Sequence, residues 1–149
     1  MKGKVLTLSC ILFYSAQSFS SELNFESGFG VDYSGLGVKV GLGLTDNIDA
    51  FISSGLAYIN TEGDVEFGYE GGIKYKLDNK NAIIAFYGVT HIERTLKEDL
   101  SHDEERDHGF SVGYKYFFNG HKKNGFNLGA TYSFYDGGSY PLVSVGYSF

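Results

Sequence analysis

A chain of 149 residues holds one domain, and this one has 12 Tyr, 13 Phe and 21 Gly but a single Pro and no Trp, a composition suited to strands and tight turns. Its 18 acidic and 12 basic side chains give a net charge of −6, which excludes nucleic acid as a partner, because that binding needs a basic surface. The lone Cys10 excludes an internal disulfide, and no apolar run approaches the roughly 20 residues of a membrane helix.

The N-terminus has the pattern of a secretory leader. Lys2 and Lys4 precede an apolar run over residues 5–14, and residues 15–21 are rich in small side chains. Residues 1–20 are therefore expected to be a signal peptide and residues 21–149 the mature domain. Cleavage after Ser18 or after Ser20 suits the sequence equally. Cys10 lies within the apolar run, too early for a lipoprotein site, so the mature chain has no thiol. Without Lys2 and Lys4, 10 basic side chains face 18 acidic ones, a net charge of −8.

Eight alternating segments follow. Residues 23–33 put Leu23, Phe25, Phe29, Val31 and Tyr33 on one face and Glu26, Gly28, Gly30 and Asp32 on the other. Residues 36–44 set Leu36, Val38, Val40, Leu42 and Leu44 against Gly37, Lys39, Gly41 and Gly43. Residues 49–59 are apolar in both phases and leave their faces open. Residues 65–77 oppose Val65, Phe67, Tyr69, Ile73, Tyr75 and Leu77 to Glu66, Glu70, Lys74 and Lys76. Residues 82–92 are again apolar in both phases, and 93–107 reads as one long polar connection. Residues 109–118 set Phe110, Val112, Tyr114, Tyr116 and Phe118 against Gly109, Ser111, Gly113 and Lys115. Residues 126–134 set Phe126, Leu128, Ala130, Tyr132 and Phe134 against Asn127, Gly129, Thr131 and Ser133. The final nine residues alternate Val143, Val145, Tyr147 and Phe149 with Ser144, Gly146 and Ser148.

Strands of about ten residues, alternating and separated by turns, are the pattern of a membrane barrel, and tilted by about 45° they cross an apolar band of roughly 25 Å. A soluble barrel fills its interior with the apolar face. That would leave water facing a surface of Gly at nearly every second position, which packs nothing. A cramped lumen gives those glycines a use, so the expected fold is inside-out: an all-β, eight-stranded, antiparallel up-and-down barrel with its apolar side chains turned to lipid.

The closing alternation ending in Phe149 resembles the terminal strand of bacterial outer-membrane barrels. The mature chain as a whole is similar to the small eight-stranded barrels of Gram-negative outer membranes, the OmpA transmembrane, OmpX and Ail kind. That resemblance implies a monomeric, non-enzymatic barrel without a cofactor, in contact with outer-membrane lipid and lipopolysaccharide. It also implies that Val143, Val145, Tyr147 and Phe149 are read by the barrel-assembly machinery. With both ends periplasmic, the turns after strands two, four and six are periplasmic, and 93–107 faces outward. Relatives used for adhesion carry long outer loops or protruding strands; three of the four outer connections here are short. Girdle aromatics are expected at Tyr75, Tyr116, Phe118, Tyr147 and Phe149 on the inner rim, and at Tyr33, Tyr58, Phe67, Phe110, Phe134 and Tyr140 on the outer.

Glu26, Asp32, Lys39, Glu66, Glu70, Lys74, Lys76 and Lys115 share the inward phase. Eight strands leave a lumen barely wide enough for its own side chains, and charges buried there must pair. A Glu–Lys network around Glu70, Lys39, Lys74 and Lys115 is expected to plug it; a narrow porin-like pore lined by the same charges is the alternative. The acidic segment 93–107 could hold divalent cations, but no ligand spacing matches a known loop. A lipid A hydrolase would have to draw on His91 or His108 with Ser101 or Ser111, and no nucleophile motif surrounds either serine.

Overall fold

The computed structural model describes residues 22–59, 65–96 and 102–149, and the side chains at 58, 59, 65, 90–96 and 102–106 lie outside that description, as do the expected leader and both its cleavage positions. Eight strands pair in sequence order and close on themselves as an antiparallel up-and-down barrel. They are β1 (Leu23–Gly30), β2 (Gly35–Gly43), β3 (Ile48–Ile59), β4 (Val65–Lys76), β5 (Asn81–Leu96), β6 (His102–Phe117), β7 (Gly125–Tyr135) and β8 (Gly138–Ser148). The seam joins β1 to β8 through Glu26–Ser148, Ser27–Tyr147, Gly28–Gly146 and Phe29–Val145. One further bond, from the Phe149 amide to the Phe25 carbonyl at 2.9 Å, extends it.

The alternation sorts side chains as an inside-out barrel requires. Phe25, Val38, Ile52, Ile73, Val112, Leu128 and Val143 are exposed on the outer wall, Ile52 at 67% and Val143 at 76%. Glu26, Lys39, Ser53, Glu70, Lys74, Ser111, Lys115, Asn127, Ser133 and Ser144 are buried inside. An apolar belt around a buried polar interior reverses the arrangement of a soluble barrel.

Three segments depart from the sequence expectation. The strand expected over 23–33 stops at Gly30, whose φ of 136° lies outside what an L side chain readily adopts. A single 3-10 turn, Val31–Tyr33, follows, and Ser34 in the left-handed region (φ 53°) with Gly35 (φ 95°) returns the chain to β2. This connection folds inward: Val31 and Tyr33, expected on the outer face and Tyr33 in the outer girdle, are both buried.

The second departure explains the two segments that are apolar in both phases. Phe51 on β3 and Ile84 and Phe86 on β5 face inward and pack with Val31, with Leu142 against them. The lumen therefore holds an apolar cluster as well as charges, and apolar side chains line both faces of β3 and β5. Third, the connection expected over 93–107 is largely strand. β5 and β6 stay paired as far as Leu96–His102, with a bulge between Val89 and His91.

The rims follow the expectation in part. At the end carrying the β2–β3, β4–β5 and β6–β7 turns, Phe126, Tyr147 and Phe149 meet edge-on at 5.2 Å centroid spacing, and Tyr116 meets Phe118 at 5.3 Å. Tyr75 is exposed at the same end, and Phe67, Phe110 and Phe134 are exposed toward the opposite end. Tyr140 instead pairs with Ser133 in the inward phase and packs on Tyr135. The Tyr58 side chain is outside the described set.

Candidate functional site

The candidate site is the lumen, and its centre is Lys115. Its ammonium, fully buried, lies 2.8 Å from Glu26 Oε2, 2.7 Å from Asp32 Oδ2 and 2.7 Å from the Tyr33 hydroxyl. Three acceptors around an –NH3 group use its three donors. Lys39 reaches the same Asp32 oxygen at 2.7 Å, with its ammonium 4.5 Å from the Tyr33 and Phe51 ring centres. Lys74 bridges Glu26 at 3.4 Å and Asp49 at 3.1 Å, and Lys76 closes on Asp49 at 2.7 Å. Four lysines and three carboxylates thus form one chain of contacts across β1, β2, β3, β4, β6 and the inward turn. Charges removed from water are tolerated only when paired this closely.

Of the eight residues expected in the network, six fall in this chain: Glu26, Asp32, Lys39, Lys74, Lys76 and Lys115. The hub is not Glu70. That carboxylate accepts a hydrogen bond at 2.7 Å from Ser53, which stands between it and Lys39 in the same register row. Glu66 is buried in the same phase farther along β4. Asp49, the anion between Lys74 and Lys76, carries no phase signal because its segment is apolar in both phases.

Tyr33 is the other residue the pattern hid. Its side chain has no exposed surface, and its hydroxyl lies 2.9 Å from both Glu26 Oε2 and Asn127 Oδ1. Asn127 in turn donates to Ser148 at 3.2 Å. The ring lies over the cross-seam pair Gly28–Gly146, where a methyl group on Gly28 would sit 2.5 Å from a ring carbon. A methyl on Gly55, which pairs with Gly37, would approach the Tyr33 carbonyl to 2.5 Å. Two glycine pairs make the slot for one inward turn, and this is the local use of the small residues in the inward phase. The positive φ at Gly30 and the Ser34-Gly35 reversal are the signals that could have marked it.

At the end carrying the termini, the β6–β7 turn folds over the mouth. The His121 amide donates to the Asn79 carbonyl at 2.9 Å, its ring packs on buried Phe117 with centroids 4.3 Å apart, and Lys122 reaches Glu22 at 3.4 Å. Burial, with Lys74 and Lys76 nearby, holds the imidazole below its ordinary pKa and so neutral. A cavity of about 110 Å³ lies between this turn, Asn24, Asp49 and Lys76.

Of the hydrolase parts, the two whose side chains are described, Ser111 and His108, do not meet. Ser111 is buried inside, hydrogen-bonded to Ser133 at 2.7 Å, whereas His108 is exposed on the outer wall against Tyr69 (3.3 Å) and Tyr87. They lie on opposite faces of one strand. The side chains of His91 and Ser101 lie outside the described set. Val143 and Phe149 are exposed on the outer face of the seam region, with Val145 beside them and Tyr147 half-buried.

Among solved structures, the crystal structure of the N-terminal β-barrel domain of Pseudomonas aeruginosa OprF is similar, with a TM-score of 0.55 at 15% identity, over 87% of this chain and 100% of that one. At that identity the likeness is one of fold, a β-barrel. No protein-family model matches the chain, and no curated protein does.

Proposed function

We propose that this chain is a small integral outer-membrane β-barrel of the OmpA, OmpX and Ail kind, from a Gram-negative bacterium, with a structural or surface-exposed, non-enzymatic role. Residues 1–20 serve as its export signal, and its lumen is closed by the Tyr33 turn and the Lys115-centred ion pairs. One observation carries the reading: an outer belt made mostly of aliphatic and aromatic side chains surrounds an interior that holds buried, paired charges. Such a surface is costly in water and required in lipid, where strands can cross only as a closed sheet. The fold likeness to the OprF barrel supports it. In this reading the barrel contacts outer-membrane lipid and lipopolysaccharide, the outward alternation Val143, Val145, Tyr147 and Phe149 on β8 is the strand met by the assembly machinery, and the barrel works as a monomer without a cofactor.

The experiment is twofold. Protein extracted from outer membranes should migrate differently on a detergent gel before and after boiling, as a closed barrel does. In planar bilayers it should show no steady open state. A continuous ion-conducting state would replace the plugged barrel with the porin-like alternative, and recovery in the soluble fraction would remove the membrane assignment.

A further inference from the structure

Beside the β6–β7 turn, at the end of the barrel that carries the termini, the outer wall is hollowed into a groove of about 560 Å³. Phe118, Phe126, Leu128, Val145 and Tyr147 line it, and the two ends of the turn, Asn119 and Gly125, form its rim. The rings are held in place: Phe126 meets Tyr147 edge-on at 5.2 Å, and Phe118 meets Tyr116 at 5.3 Å. Leu128 and Val145 pair across the ladder two residues in from Phe126 and Tyr147. At the rise of a strand that is ~7 Å farther from the rim. The volume falls in the range of small-ligand sites, about 300–1,000 Å³, and no charged side chain lines it.

The turn beside the groove has the opposite chemistry. Residues 119–124 read Asn-Gly-His-Lys-Lys-Asn, without a carboxylate, in a chain where 18 acids outnumber 12 bases. The turn is braced by three bonds: the Asn119 side-chain amide donates to the Asn124 carbonyl at 2.8 Å, the Gly120 amide to the Phe117 carbonyl at 3.2 Å, and the His121 amide to the Asn79 carbonyl at 2.9 Å. With the His121 ring packed on buried Phe117, Lys122 and Lys123 are left exposed. Lys122 has only its open 3.4 Å pair with Glu22, a kind of contact that contributes little. Lys123 makes no ion pair or side-chain hydrogen bond among the described residues. An apolar slot beside two available ammonium groups complements a molecule with a hydrocarbon chain and a negative head. We propose that this groove seats an acyl chain of an anionic phospholipid, whose phosphate is held by Lys122 and Lys123. The aromatic rings around the slot suit the boundary between hydrocarbon and headgroups, where that phosphate would lie.

This site rests on the membrane reading, and the test separates the two. The chain has no Trp, so Leu128→Trp places a single indole on the groove floor and Ile52→Trp places one on the outer face of β3, four strands away around the barrel. Each variant is folded into phosphatidylcholine vesicles holding a minor share of lipid brominated on its acyl chains, either phosphatidylglycerol or phosphatidylcholine. Heat-dependent gel mobility establishes that each barrel is folded. The ratio of quenching by the anionic to the zwitterionic lipid is expected to be at least threefold higher for L128W than for I52W. Adding K122Q/K123Q to L128W should bring its ratio down to that of I52W. Equal ratios at the two positions, or a high ratio at L128W that survives K122Q/K123Q, would overturn the proposal and leave the membrane reading standing. Shielding of L128W from both brominated lipids would mean that a second copy covers the groove, and would overturn it too. Failure of either lipid to quench either indole would overturn the site and the membrane reading together.

Discussion

Replacing Lys115 by Met tests the lumen at its centre. The side chain has no exposed surface, and its ammonium meets Glu26, Asp32 and Tyr33 within 2.8 Å. Removing one partner of a buried ion pair costs about 3–5 kcal/mol, because the remaining charge is left in a dry interior. Here each orphaned carboxylate keeps a second cation, Asp32 keeping Lys39 at 2.7 Å and Glu26 keeping Lys74 at 3.4 Å. The expected loss therefore lies near the low end, about 3 kcal/mol. Reversible urea unfolding in micelles measures it, followed by gel mobility and by tyrosine emission, since the chain has 12 Tyr and no Trp. Because Glu26 is then the worse-paired anion, E26Q should cost less in the K115M background than in the parent. That non-additivity is the signature of residues sharing one network. A loss below about 1 kcal/mol for K115M, or strictly additive costs, would refute the argument that this ammonium holds the interior together.

Gly146→Ala should destabilise by about 1–3 kcal/mol through overpacking against the Tyr33 ring, and should be nearly neutral in a Tyr33→Ala background; paired unfolding curves read both. Ile52→Arg, on the outer face of β3, should cost roughly 2–4 kcal/mol for folding into lipid vesicles if that face meets the bilayer interior, and far less if it meets water. His121 has a folded-state pKa below its ordinary value of 6.5, so the unfolded chain takes up the proton first. Stability from this group is fully present above 6.5 and is lost as the pH falls through that value. H121Q should flatten that part of the stability profile, as read by urea midpoints between neutral and mildly acidic pH.

Much of the wall was legible because a period of two needs no tertiary information. Leu36 to Leu44, Phe126 to Phe134 and Val143 to Phe149 read the same in sequence and in structure. Phase also identified Glu26, Lys39, Lys74 and Lys115 as inward. It could not say which of them meet, because that depends on register and on the stagger of strands around the barrel. One register row runs Ser148, Glu26, Lys39, Ser53, Glu70, yet the Lys115 ammonium arrives from the far wall to meet Glu26. Val31 and Tyr33 continue the alternation of β1, and only the backbone reversal at Gly30 sends them inside. The β5–β6 ribbon was hidden for another reason. Its sequence is charged on consecutive positions, which is the composition of a solvated loop, and main-chain pairing between two such stretches leaves no hydropathy signal.

The seam between β1 and β8 is short, four residue pairs against the eight that join β1 to β2. Tyr33 sits across it from within, touching Glu26 on the first strand, Gly146 on the eighth and Asn127 on the seventh. A ring clasped by the first and last strands has no berth until those strands have met. Its phenol is thus a molecular receipt for completed cyclisation: a barrel unzipped at this join would release it to solvent, and relocking the join would swallow it again.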